Sequence, residues 1–476
     1  MKEERDSKRQ KVCSQSEEAI EHCDMISDLS DSILVQILSF LPMEDAVKTG
    51  ILSKRWDHLW TKVRSLYFNG PLSRKRTGQE KFISFVNHTL SLVDGDKIEE
   101  FSLDFNQSPS EVMKGEEETE MRMFDLDIDR WIRCAARRKV EVLHLNFSYN
   151  PSDGPPVGVP YKLPAHLFNN DSIEELMFCF CSINPIRPIQ WNNLKSLFLY
   201  NIQLDDVLIQ NILSGTPLLE ILRLSECNGM RILNVTSPNL KSLALCLKSG
   251  PCLELSAPFV ETLEISGDIE QYRLMNVSSL VDVQVNPEGQ TIHEEFQTML
   301  QGLLESVRHA KVIALSTRCL QVMSALEIKM PPTSSFGCNL LELKTSLTKW
   351  QLPGLKLLLR TSPTLQTLII RMDGKPCKLS LDQELLPKYD FDEVHYWSSM
   401  LSFPCLRKTL KTVKIFDFSG GSSETALVEF LLKKSLVLQK MIIYNTTTEY
   451  VPEHSAFTSN DKFSNKSLNI ERAWQK

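Results

Sequence analysis

Twelve cysteines, nine histidines and one Gly-Gly step are where covalent, metal or phosphate chemistry could begin in this 476-residue chain. No two cysteines form a CxxC pair. Cys179 and Cys181 stand two apart, and no histidine pair follows at finger spacing, so the donors for a zinc site are missing. The histidines show no ligand spacing; a lone one on a strand, such as His144, suits a surface contact better than a general base. Gly420-Gly421-Ser422 lacks the lysine that a phosphate-cradling loop needs. No G-x-S-x-G elbow, Walker loop, G-x-G-x-x-G turn or H-E-x-x-H pair occurs. The expectation is a protein with no catalytic residue, no metal and no cofactor.

The totals narrow the class further. A formal net charge of -7 disfavours binding nucleic acid through the whole surface, and 42% hydrophobic with 24% charged residues is ordinary for a folded protein. The opening MKEERDSKRQKV has no apolar core of a secretion signal. No run of about 18 apolar residues could span a bilayer; the stretch from Phe430 to Ile443 is broken by Lys433, Lys434, Gln439 and Lys440. These features predict an intracellular protein, in nucleus or cytoplasm, with free buried thiols. Sequons such as Asn234-Val235-Thr236 are then coincidental.

Without chemistry to carry, the residues must act through surfaces, and the elements that would present them are legible. Residues 1–23 mix both charge signs and read as a disordered tail, with an import-like Lys8-Arg9-Gln10-Lys11 cluster. Ile33, Leu34, Ile37, Leu38 and Leu41 make a helical apolar stripe that Pro42 should end. A short helix follows over about 44–50. Ser53 could cap a third helix, with Trp56, Leu59, Trp60 and Val63 on one face.

Beyond residue 70 a pattern L-x-x-L-x-L recurs. Val140-Leu143-Leu145, Ile173-Leu176-Phe178, Leu194-Leu197-Leu199 and Leu219-Leu222-Leu224 open the regular part. Leu240-Leu243-Leu245, Val260-Leu263-Ile265 and Leu280-Val283-Val285 continue it, and weaker copies begin at Ile98, Ala310, Leu365, Leu410 and Leu438. A period of roughly 20–25 residues is that of leucine-rich repeats, each a short strand that must stack to bury its leucines. Residues 106–120, with Glu116, Glu117, Glu118 and Glu120, read as an acidic loop, and 149–164 as an irregular Pro/Gly connection. Alternation places His144, Met177, Phe198, Arg223 and Glu264 on the face opposite the leucines, expected to be concave and to meet a target protein. Cys227 falls at a buried turn position of such a repeat.

The segment from Asp24 to Phe68 resembles the F-box of plant F-box proteins: Ile33-Leu34, then Ile37-Leu38-Ser39-Phe40-Leu41-Pro42, then Leu52-Ser53-Lys54-Arg55-Trp56 and Leu59-Trp60. That resemblance implies a Skp1-type partner and, through it, a cullin. Leu29, Ile33, Leu34, Ile37, Leu38, Leu41, Pro42, Val47, Leu52 and Trp56 would contact Skp1 or support that surface. Two positions depart from the family pattern: Ser30 stands where Leu-Pro is usual, and Met43 where Ser or Thr would cap the second helix. Trp131-Ile132, Leu163-Pro164 and Leu167-Phe168 follow the order of plant F-box proteins with leucine-rich repeats. Trp397, Phe403-Pro404-Cys405-Leu406, Leu410 to Ile415, and Phe430 to Lys434 resemble an FBD domain.

The expected architecture is therefore α/β: a tail (1–23), a three-helix F-box (24–70), an irregular repeat solenoid (71–394), an FBD-type cap (395–445) and a C-terminal tail (446–476). The expected role is a substrate-recognition adaptor of a Skp1-cullin-F-box ubiquitin ligase. A scaffold with a weakened F-box, or a small-molecule-gated receptor of the same architecture, are the alternatives.

Overall fold

The computed structural model describes residues 26–471 except 27, 72–75, 107–117, 148–158, 249–251, 269–271, 289–293, 330–333, 375–385, 399 and 446–466. The tail 1–23 with its Lys8–Lys11 cluster, the glutamates 116 and 117, and most of the 149–164 connection lie outside these residues.

The first helix, Asp31–Leu38, starts behind Ser30 and carries Asp31 in its first turn, where the helix dipole favours an acid. It stops four residues before Pro42. The proline ring disfavours helical dihedrals at residue 41, and Phe40 and Leu41 donate to Ile37 and Leu38 in a tightened last turn. Pro42 then serves as the N-cap of the helix Met43–Lys48. This helix has no side-chain cap bond, as the sequence implied, but its cap position falls on Pro42, and Met43 is a fully buried core side chain. Ser53 does not cap through its hydroxyl either; the third segment is a 3-10 helix, Trp56–Lys62, entered through Arg55.

Fifteen strands form one sheet among the described residues, and every neighbour pairing is parallel except the last. The repeated leucines set its register. Leu143, Leu176, Leu197, Leu222, Leu243, Leu263 and Val283 are successive partners. All seven are buried, because a parallel strand with helices or loops behind it hides that side completely. A second layer backs the middle of the sheet, the three short strands Ile232–Asn234, Leu253–Ser256 and Tyr272–Asn276. Helices such as Thr317–Lys329 and Leu352–Thr361 back the later strands.

Two further repeats depart from the leucine pattern. Strand Ser65–Pro71 carries Val63, Leu66 and Phe68 inward, but lies inside the stretch assigned to the F-box. Strand Leu340–Thr345 carries Leu341 and Leu343 inward, and Cys338 just ahead of it is buried where the first leucine of the pattern would stand. Within the stretch read as a C-terminal tail, Ser467–Glu471 pairs antiparallel with Lys440–Asn445 and ends the sheet. The FBD-like motifs are continuous with it: strand Thr412–Phe418 pairs directly with Thr367–Met372, and Trp397 and Phe403 both pack on Phe430.

The helices Thr317–Lys329 and Leu352–Thr361 approach so closely that a Cβ on Gly354 would sit 2.1 Å from the Leu320 carbonyl oxygen. The Gly354 N–H also donates to Ser324 Oγ at 2.7 Å. Gly354→Ala should therefore cost about 1–3 kcal/mol through forced separation of the two helices, read as a lower urea midpoint at unchanged slope. An unchanged midpoint would show that this contact relaxes freely.

Candidate functional site

Two surfaces are built by this fold, one at each level of it. The first is the outer side of the F-box. On helix Asp31–Leu38, Leu34 and Leu38 lie one turn apart and are fully buried, as are Met43, Ala46, Leu59 and Val63 around them. Helix Met43–Lys48 packs on the first sheet strand, so this small core runs without a break into that of the repeats. Arg55 ties the ends together, pairing with Asp31 at 2.8 Å and donating to the Leu29 carbonyl. At the junction, the Thr61 hydroxyl donates to Asp94 at 2.9 Å and Arg64 pairs with Glu99 at 3.0 Å.

What this core leaves outside decides the site. Ile33 and Ile37 are exposed, Phe40 is 80% exposed, Ile51 88% and Leu52 65%. Five large apolar side chains in water on one short module ask for a cover. The ten residues marked from sequence therefore divide. Ile33, Ile37 and Leu52 face outward; Leu29, Leu41, Pro42 and Val47 are half-buried. Leu34, Leu38 and Trp56 are buried inside the chain, the supporting position that the sequence reading allowed them. Phe40 and Ile51 were missed. The signal for Phe40 was present: Ile33, Ile37 and Phe40 stand at i, i+4 and i+7, a second stripe beside Leu34, Leu38 and Leu41.

At Ser30 the backbone has φ -66°, the value a proline ring would fix, so the chain follows the path of the usual Leu-Pro without it. Its hydroxyl meets Ser32 Oγ at 2.9 Å and makes no cap bond to the helix.

The second surface is the open face of the sheet. His144, Met177, Phe198, Arg223 and Glu264 fall into a single row across it: His144 neighbours Met177, Met177 neighbours Phe198, and Phe198 neighbours Arg223. Ala244 separates Arg223 from Glu264. His144 Nε2 lies 2.9 Å from Glu175, and the Arg223 guanidinium stands 5.6 Å from the Phe198 ring centre. Nearer the F-box, the Tyr67 hydroxyl and the Asn146 amide both donate to Asp104. Burial raises the pKa of that carboxyl, and the Tyr67 hydrogen bond partly offsets it.

Among the described residues no three His, Cys, Asp or Glu side chains gather as metal ligands, and no helix is long and apolar enough to cross a membrane. Cys227 is buried at its turn, its thiol 3.4 Å from the Leu199 carbonyl oxygen. Burial pushes its pKa up to about 12, as it does that of Cys319, so both stay protonated and unreactive.

Residues 26–68 match the F-box domain family, and residues 112–473 match the LRR domain family of the At1g61320/AtMIF1 type. The F-box/LRR-repeat protein At3g03360 of Arabidopsis thaliana is 29% identical over 77% of this chain and 74% of its own length. The putative F-box/LRR-repeat protein At3g18150 is 28% identical over 89% and 87%, and the FBD-associated F-box protein At5g56370 is 27% identical over 87% and 88%, both from the same plant.

Proposed function

The chain belongs to the At1g61320/AtMIF1-type leucine-rich-repeat family and carries an F-box ahead of its repeats, and on that premise we propose that it is a substrate-recognition adaptor of a Skp1-cullin-F-box ubiquitin ligase. Proteins of this architecture are typically non-catalytic. In this reading the exposed row Ile33, Ile37 and Phe40, with Ile51 and Leu52, docks on a Skp1-type subunit that links the chain to a cullin. The open face, with His144, Met177, Phe198, Arg223 and Glu264, receives the target.

The observation that carries the proposal is the apolar side chains left in water by a module whose own core is already closed. Covering each one contributes roughly 1.5–3 kcal/mol, enough together for stable docking. The unbroken core from the F-box into the repeats supports a mechanical role. A rigid body holds the target at a set place relative to the ubiquitin carrier, replacing an encounter between free molecules by a local one. The buried, unpaired thiols suit a reducing compartment, which favours action in nucleus or cytoplasm.

The test is direct. Full-length chain mixed with a purified Skp1-type subunit should co-elute as a one-to-one complex on size exclusion, and separate elution at micromolar concentrations would refute the adaptor reading.

A further inference from the structure

Along the strand-start edge of the sheet, carboxylates are answered by cations. Glu99 pairs with Arg64, Glu141 with Lys97, Glu174 with Lys195 and Glu261 with Lys241, at 2.6 to 3.0 Å. The open face departs from this rule. Glu100 and Glu175 have His144 between them, at 4.0 and 2.9 Å, and even a protonated imidazole would answer only one of the two carboxylates. Glu264 stands between Ala244 and Gln284 and has no cation or hydrogen-bond partner among the described residues. Asp104 and Asp282 share the face; burial raises the pKa of both, so the three glutamates carry the charge. Across the ten strands from Ser65–Pro71 to Val312–Leu315, the described open-face positions hold one lysine or arginine, Arg223, which stacks over Phe198.

An apolar middle separates the acidic ends. Met177, Phe198 and Ile221 come from three successive strands, Glu175–Cys179, Ser196–Tyr200 and Ile221–Ser225. All three are half-buried, and none is packed on the core behind the sheet. Glu175 and Glu264 lie four strand spacings apart, about 19 Å, the reach of about six extended residues.

We propose that this part of the open face binds an extended segment of the target that carries Lys or Arg at both ends and apolar side chains between them. The inference rests on the open face being the receptor face and names its ligand class. Charge complementarity picks the ends: Glu100 and Glu175 on one side and Glu264 on the other lack cations of their own. Arg223 in the middle disfavours a cation there, which sets the order along the segment. Nucleic acid or an anionic lipid surface would meet like charge on this face, in a chain already at -7. The apolar middle asks for side chains that a polypeptide supplies.

Full-length chain can be titrated against a short fluorescein-labelled peptide with Lys and Arg at its ends and Leu and Ile in its middle, read by anisotropy. A peptide of the same composition with its cations gathered in the middle, and one with Asp and Glu at its ends, are the comparison arms. The first should bind best, lose affinity as salt rises, and weaken at least about tenfold with Glu175→Lys plus Glu264→Lys. Glu295→Lys, on the helix Glu294–Ser306 away from this face, should change it little. The shape-preserving pair Glu175→Gln plus Glu264→Gln should still weaken binding severalfold, and it decides the matter if charge reversal lowers the melting temperature. Skp1-type capture, measured in parallel, keeps the adaptor reading separate. Undiminished binding by the Gln pair, equal affinity for the rearranged peptide, preference for the acidic-ended one, or no binding by a wild-type chain that still forms the Skp1-type complex would each overturn the proposal and leave the adaptor reading standing.

Discussion

Substituting Phe40 and Leu52 together by aspartate is expected to abolish capture of a Skp1-type subunit, a loss of at least about 100-fold, with the thermal transition of the chain unmoved. Both side chains are more than half in water in the free chain, at 80% and 65% exposure, so the unbound protein loses no packing. In the complex two charges would be forced against an apolar partner, and each unpaired charge is costly to desolvate. Leu38→Ala should behave in the opposite way. Leu38 is fully buried against its own module, so the substitution removes core contacts, about 2–5 kcal/mol, and capture falls only as far as the F-box unfolds. Titration calorimetry with parallel circular dichroism separates the two. Wild-type affinity in the Phe40/Leu52 variant would mean that the docking surface lies elsewhere.

The second large effect concerns the repeats. Trp191 is fully buried between the repeats, near Phe168 and Phe178, and its indole N–H donates to the Leu167 carbonyl at 2.7 Å. Trp191→Ala empties this site and strands that carbonyl, so about 3–5 kcal/mol should be lost. Because each repeat leans on its neighbours, the loss should appear as faster hydrogen exchange in Glu175–Cys179 and Ser196–Tyr200 before the remote strands. A change below about 1 kcal/mol in urea unfolding would show that the neighbouring repeats can close over the gap.

The sheet was largely legible because one constraint repeats. A strand with one side sealed must alternate, and stacking copies of it forces leucine onto leucine. Hence the inward series from Ile98 to Met441 could be read off spacing alone, and the residues between them fall on the open face. The lapses have the same origin. Cys338 fills a leucine site with a small buried thiol, and Val63, Leu66 and Phe68 were hidden by belonging to the F-box stretch as well.

The F-box shows where sequence runs out. Its first helix and the turn that follows carry two apolar series at helical spacing, Ile33-Ile37-Phe40 and Leu34-Leu38-Leu41, offset by one residue and so, within the helix, by about 100°. Both have helical spacing, and hydrophobicity alone cannot rank them. The amino-acid order by itself determined that a helix with excess apolar surface would stand ahead of a stack of parallel strands. Only tertiary structure decided which stripe turns inward. Packing of Met43, Leu59 and the first strand leaves room for one of them, and the other is left in water for a second polypeptide to cover.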